Sequence, residues 1–440
     1  MSTAPSRAAA ALTLLAAAVT ARGQIPPRRV QLTPSGVNRR AGASDEADGV
    51  AVPSSARSVV IERDGEVLRQ RPDSQSPRRG TAARGARLPA LEATQGRGCR
   101  SVWARVGDDA WVCTDVAPLS GDAPRATAQP AVPAGAVVPH SYAFARRAGV
   151  RTYRRLEDAR EDNWAEELER GMSVAVSGTA RLDGATYVHT VTGRWVALRE
   201  LNWARPSERV GALYEPEEAV DGVAFTRRAV RLWPTIEGAL HDRGSVAGMG
   251  SLGEREGAHV RELREVRGRR VARLDAGWVL ERWLNRPSAA APPADLGARE
   301  RWVDIDRERQ LIVAFEGRAP VYAALVSTGR AGNPTLPGEF RVWSKLATTD
   351  MSNVDDAMLT TVTALYTVSR VPWVMFFNRD QAMHGVFWHD GFGRPRSHGC
   401  VNLAPRDAAW LFEWAPPALP RGWSAALPTP REPGMRVRVR

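Results

Sequence analysis

Three of the seven histidines fall inside one stretch, HGVFWHDGFGRPRSHGC, which runs from His384 to Cys400 and ends on one of only three cysteines. A cysteine nucleophile needs a base within hydrogen-bonding reach and a local field that favours thiolate. It also needs donors for the oxyanion of a tetrahedral intermediate. Ser397-His398-Gly399-Cys400 can supply them. Gly399 lets the backbone turn tightly, so the N–H of Cys400 and those just before it can face one concavity. His384 closes the strand-like run FFNRDQAMHG. A strand end is a rigid place to hold a base against a nucleophile on a loop.

Three other chemistries compete for the same residues. His384, His389, His398 and Cys400 are all metal-ligand types, but H-x4-H-x8-H-x-C matches no zinc spacing and no second cysteine pair supports it. A lone cysteine is commonly a buried structural thiol, and the SHGC setting argues against that here. In papain-like and cell-wall cysteine peptidases the cysteine precedes the histidine, whereas here it follows.

The elements that must position this stretch form a last module, 300–440. It opens WVDIDRERQLIVAFEGRAPVYAALVSTG. Val303 and Ile305 alternate with charges, DRER makes a turn, and LIVAF and VYAALVSTG return as strands. FRVWSKL, PWVMFF and the terminal MRVRVR read as further strands. The one convincing helix is APRDAAWLFEWA (404–415), with Ala408, Leu411 and Phe412 on one face and Pro405 near its start. The expectation is a mainly β domain.

A chain of 440 residues holds several modules. Its formal charge of +12 is nearly all arginine, since Lys345 is the single lysine. A GC-rich genome produces that bias; attraction to a polyanionic neighbourhood is the alternative. No zinc-finger spacing, RNP-like strand or basic helix with interleaved aromatics points to nucleic acid. MSTAPSRAAAALTLLAAAVTARGQ reads as a signal peptide over 1–21: Arg7 supplies a positive start, Ala8 to Val19 a short apolar run, and Val19-Thr20-Ala21 a cleavage site. An Ala-rich tail is the other reading. The run is too short to span a bilayer, and no later stretch is long enough. A soluble, exported protein of a periplasm or cell envelope is therefore expected. Residues 22–56 read as a disordered linker.

Cys99 and Cys113 flank VWARV-GDD-AWVC, a hairpin pattern around a Gly-Asp turn inside a β-rich module over 57–120. Two cysteines on neighbouring strands could form a disulfide after export, leaving Cys400 as the odd thiol. Pro/Ala linkers follow at 121–139 and 287–297. Between them lies an internal repeat. YAFARRAGVRTYRRLEDA from Tyr142 matches VAFTRRAVRLWPTIEGA from Val223, and GRWVALRELNWARPS from Gly193 matches AGWVLERWLNRPS from Ala276. Two copies of one module thus occupy 140–208 and 221–288. Their short strands and Gly turns resemble bacterial SH3-like barrels, and 57–120 resembles a more divergent copy. Such barrels bind cell-wall peptides, pack against a catalytic domain, or serve as spacers.

In the last module the resemblance is specific. HG at 384–385 followed by SHGCVNL at 397–403 resembles the signature of the YkuD-type L,D-transpeptidases. VDIDRERQLIVAFEG, VSTGRAGNPTLPGEFRVWSKL and PWVMFF…MHG resemble the family's upstream blocks, in order. The resemblance covers 300–440 and implies a β-sandwich catalytic domain acting on peptidoglycan stem peptides. It implies Cys400 as nucleophile and His384 as general acid/base. Ser397 and His398 would shape the loop and help orient His384, and Gly399 and Cys400 would lend backbone donors. It implies no metal and no organic cofactor, and covalent labelling by carbapenem-type inhibitors. Many members carry Arg two residues past the cysteine, where this chain has Asn402. With Asn402 at that subsite, Arg394 and Arg396 become candidates for a substrate carboxylate. ATTDMSNVDDAMLTTVTALYTVSR (347–370) would form a wall of the cleft, with Met351 and Tyr366 lining it. Transfer to an amine makes a crosslink; water as acceptor would make an L,D-carboxypeptidase or a crosslink-cleaving peptidase. A wall-binding protein without activity is the reading from another class.

Overall fold

The computed structural model describes residues 56–241, 250–352 and 367–440. The leader, nearly all of the first linker, and Tyr366 lie outside the described residues.

The last module consists of β1 (Arg301–Asp306), β2 (Leu311–Glu316), β3 (Ala319–Ser327), β4 (Gly338–Arg341), β5 (Ser344–Ser352), β6 (Thr367–Asn378), β7 (Gln381–Gly385), β8 (Val401–Leu403), α1 (Pro405–Trp414), β9 (Trp423–Ala426) and β10 (Arg436–Val439). β1, β2 and β3 form the antiparallel meander that the turn at DRER implies. The terminal strand β10 runs parallel to β1. That pairing explains the charges in VDID and RVRVR. Arg438 Nε donates to Asp304 at 2.7 Å and Arg440 Nε to the other Asp304 oxygen at 2.8 Å, so the buried carboxylate is matched by its neighbour strand.

FRVWSKL is not one strand but two. It turns a corner at Val342 and Trp343, so β4 pairs with β10 while β5 pairs with β6. Val342 N–H donates to Met435 O and Trp343 N–H to Phe376 O, which satisfies the backbone through the corner. β6 continues antiparallel into β7, β7 lies parallel to β8, and β8 returns to β3. The module is mainly β. Val303, Ile305, Val326, Val374, Met383 and Val401 meet α1 residues Leu411 and Phe412 in one core. Lys345, fully buried, donates to Phe412 O at 2.5 Å and Ala415 O at 2.7 Å and so satisfies carbonyls at the end of α1.

Among the described residues, the upstream segments are packed on this module within one compact unit. Strand Arg78–Ala82 pairs with β9, so the sheet of the first small module continues into the last. Trp423 of β9 is buried in that first module's core beside Val59, Leu68 and Val112. Cys99 and Cys113 are joined in a disulfide with Cα atoms 5.6 Å apart.

The two repeat copies share one strand order. Each has a strand of ten residues (Ser173–Leu182 and Gly257–Val266), a partner of six (Ala185–Thr190 and Arg269–Leu274), and a 3₁₀ turn (Leu198–Glu200 and Glu281–Trp283) before the last strand. Both tails read Arg-Pro-Ser, and both serines reach a carboxylate of the last module. Ser207 donates to Asp390 at 2.5 Å and Ser288 lies 3.5 Å from Asp306. In the first copy Tyr142 stacks on Phe387 with ring centroids 3.6 Å apart and donates its hydroxyl to Arg370 O.

Candidate functional site

The site is built on the parallel pair β7 and β8. His384 is opposite Asn402 and Met383 opposite Val401. Extending that register by one residue sets Cys400 beside Ala382. Alternate residues share a face, so Cys400, Asn402 and His384 look the same way. Two residues along a strand and one strand across put the Cα atoms of His384 and Cys400 about 8 Å apart, which two side chains can bridge.

The turn before Cys400 is pinned from three sides. Ser397 Oγ donates to Cys400 O at 2.5 Å and accepts the Gly399 N–H at 3.1 Å. Thr335 Oγ1 donates to Gly399 O at 2.8 Å, and Thr328 O accepts the N–H groups of Arg396 and Ser397. Gln381 binds the 334–336 segment, donating to Pro334 O and accepting from Leu336 N–H. Gly399 has φ +123°, a region side chains avoid, and a Cβ there would lie 3.0 Å from Gln381 Nε2. The conformation calls for glycine, and a Cβ would press on the end of the Gln381 side chain.

Residues 300–439 match the family model described as the L,D-transpeptidase catalytic domain, YkuD. Residues 300–439 are a YkuD domain. The match includes nothing before residue 300. Among solved structures, similar chains include an L,D-transpeptidase from Enterococcus faecium, at 20% identity and TM-score 0.25, covering 32% of this chain and 50% of that one. Another is an L,D-transpeptidase from Stackebrandtia nassauensis, at 22% identity and TM-score 0.24, covering 35% and 61%. A third is the LD transpeptidase LdtMt1 in complex with imipenem, at 15% identity and TM-score 0.26, covering 53% and 100%. The chain thus spans about half the length of the first of these proteins. No curated protein matches the chain.

Within the YkuD domain, His384 is buried, and its Nδ1 lies 3.2 Å from Gly385 O. A carbonyl only accepts, so Nδ1 carries the proton and Nε2 is the basic atom. Burial pushes the imidazole down to about 4, against a smaller upward pull from the Gly385 carbonyl. Trp388 lies over it, ring centroids 5.8 Å apart. The Cys400 residue keeps part of its surface accessible, yet dense surroundings push its thiol up to about 11. Both groups are therefore neutral at pH 7 before substrate arrives.

Three of the expected site residues have partners of their own. The Gly399 N–H is taken by Ser397 Oγ, so it is not a free oxyanion donor. His398 is exposed, and its Nε2 meets Arg330 at 2.6 Å. A guanidinium only donates, so His398 Nε2 accepts from it. Asn402 is 4% exposed and its amide lies 3.0 Å from His389 Nε2, which makes it a buried rung and not a surface receptor for a carboxylate. Arg394 and Arg396 are exposed, and Met351 is half-buried on β5. Ligand atoms of His384, His389, His398 and Cys400 do not gather as a metal set. Among the described residues the group that does is Cys99, Cys113 and Asp115, and two of these are spent in the disulfide.

Sequence reading missed the contact of His389 with Asn402, and Thr335 and Gln381 as anchors of the turn. Thr335 lies in the block VSTGRAGNPTLPGEF, which was a usable signal. Gln381, on the strand leading to His384, carries none.

Proposed function

We propose that the chain is an exported peptidoglycan L,D-transpeptidase. The observation that carries the reading is the YkuD match over 300–439 together with His384 and Cys400 on one face of neighbouring parallel strands. Cys400 attacks the carbonyl of an L-centre that precedes a terminal D-residue. His384 Nε2 takes the thiol proton as the C–S bond forms, and returns it to the leaving amine as the C–N bond breaks. The Cys400 N–H is the candidate donor to the oxyanion. A side-chain amine of a second stem then attacks the thioester, gives its proton to His384, and releases the thiol. Ser397 and Gly399 hold the turn, Thr335 and Gln381 brace it, and Arg394 and Arg396 offer charge to a substrate carboxylate.

No metal or organic cofactor enters this chemistry. Carbapenem-type β-lactams, with a strained carbonyl, are expected to acylate Cys400. The segments at 57–120, 140–208 and 221–288 are read as SH3-like modules that carry the domain in a periplasm or cell envelope.

The test is incubation of residues 22–440 with a disaccharide-tetrapeptide, alongside Cys400→Ala, read by mass spectrometry. Loss of D-Ala with a new dimer, both dependent on Cys400, is the expected result. Loss of D-Ala with tripeptide alone would assign water as the acceptor and make the protein a carboxypeptidase. Intact substrate and no acyl-enzyme, with crosslinked substrates also unchanged, would overturn the enzymatic reading.

A further inference from the structure

The loop between β7 and β8 carries an acid, Asp390, that the chemistry above does not use. It is held by residues outside the YkuD domain. Ser207 Oγ donates to Asp390 Oδ1 at 2.5 Å. Arg209 Nε donates to both carboxylate oxygens, at 2.8 and 3.0 Å. Arg255 donates to Asp390 O at 3.0 Å. Ser207 lies in the tail of the first repeat copy, Arg209 in the connection between the copies, and Arg255 in the second copy. Ser207 is buried and Arg209 is itself fixed by donating to Glu254 O at 2.9 Å. Burial alone would raise the Asp390 carboxyl; the Arg209 and Ser207 hydrogen bonds outweigh it and hold it below the usual range. The clasp is charge-assisted and lies at the surface, with the Arg209 side chain 30% and the Asp390 side chain 48% exposed, and the buried Ser207 hydroxyl adds a third hydrogen bond to the same carboxylate.

The next residue back is His389. The Gly391 N–H donates to its Nδ1 at 3.2 Å. The Asn402 side-chain amide nitrogen, itself a donor, faces the His389 Nε2 at 3.0 Å, and Asn402 sits opposite His384. The same loop carries Trp388, which lies over His384, and Phe387, on which Tyr142 of the first copy stacks. Both upstream copies thus grip a loop whose side chains touch the His384 face.

We propose that Asp390 is a positioning residue through which the upstream repeats complete the active site: clasped by Ser207, Arg209 and Arg255, it fixes the loop that seats His389 on Asn402 and Trp388 on His384. The catalytic domain then depends on the chain before residue 300 for its active geometry. This inference rests on the proposed transpeptidase reading for its activity readout. A histidine resonance, which needs no turnover, provides a second readout.

The experiment uses the full mature chain with Arg209→Ala, Arg209→Lys and, as a control, Arg147→Ala. The control breaks the Arg147–Glu200 ion pair, which lies within the first copy and is no part of the clasp. Small misplacements at a reacting centre cost about tenfold to a hundredfold. Arg209→Ala is expected to lower kcat by about tenfold with KM changed less than threefold, Arg209→Lys to recover most of it, and Arg147→Ala to match the parent. In ¹⁵N spectra, with His389→Gln identifying the signal, His389 of the parent is expected as an imidazole that stays neutral down to about pH 5. In Arg209→Ala it should titrate closer to an ordinary histidine. The groups that bear on that titration are Arg396, Asp390 and His384. Unchanged kcat together with an unchanged His389 signal would overturn the proposal. If the parent turns over no stem peptide, the transpeptidase reading fails, and the His389 signal alone decides whether the clasp positions the loop.

Discussion

The charge state of Cys400 gives the sharpest prediction, and pH is the perturbation. Its surroundings push the thiol up to about 11 from an ordinary 9.0. At pH 7 the thiolate fraction is then about one in ten thousand, against about one in a hundred for an ordinary thiol. Alkylation goes through thiolate, so iodoacetamide should modify Cys400 about a hundredfold more slowly than the same thiol in unfolded chain at pH 7. The logarithm of the rate should rise by one for each pH unit from 6 to about 10. Cys99 and Cys113 are bonded to each other, so intact mass reports Cys400 alone. His384 is pushed down to about 4 and is neutral in the same range, so His384→Ala should change this rate less than about threefold. A rate that is flat across neutral pH and collapses in His384→Ala would refute the reasoning. It would show a standing thiolate–imidazolium pair, not a thiolate made only as the substrate is attacked.

Three further outcomes follow from the fold. The folded His384 at about 4 lies below its unfolded value of 6.5, so its contribution is present above pH 6.5 and is lost as pH falls through about 4. Going from pH 7 to 4.5 should cost about 2.5 kcal/mol from this residue, and urea midpoints of His384→Gln should fall less by that amount; an equal fall would contradict it. Trp423→Ala empties the core of the first module from the β9 side and should cost about 3–5 kcal/mol in one cooperative transition; two separate melts with one unchanged would deny that the sheets unfold together. Lys345→Met keeps the length of the side chain and removes the donors to Phe412 O and Ala415 O. Calorimetry should show a loss of about 2–4 kcal/mol, and a neutral result would mean that water or relaxation satisfies those carbonyls.

Much of the YkuD domain was legible because its signals are local. Alternation marked β1 and β2, a Pro-led amphipathic run marked α1, and His384 and Cys400 stood out by residue type. The paired copies were legible as a repeat because their strands recur in order. What was not legible lies in partner choice. A period-2 pattern says that a residue is in a strand but not which edge the strand meets. FRVWSKL therefore read as one strand, although Val342 and Trp343 turn it between two sheets. WSAA at 423–426 gave no hint that it would join Arg78–Ala82. At the site, Gly399 was recognised as a turn residue, but the capture of its N–H by Ser397 depends on a rotamer. Asn402 and His389 were separate letters until register and loop closure set them 3.0 Å apart.

The most direct test of the central claim is intact-protein mass spectrometry of the mature chain mixed briefly with a disaccharide-tetrapeptide. The account predicts an adduct equal to the substrate less its terminal D-Ala. It should map to the peptide containing Cys400, vanish in Cys400→Ala, and decay when an acceptor amine is added. Release of D-Ala with no adduct on Cys400, or an adduct on another residue, would contradict the account.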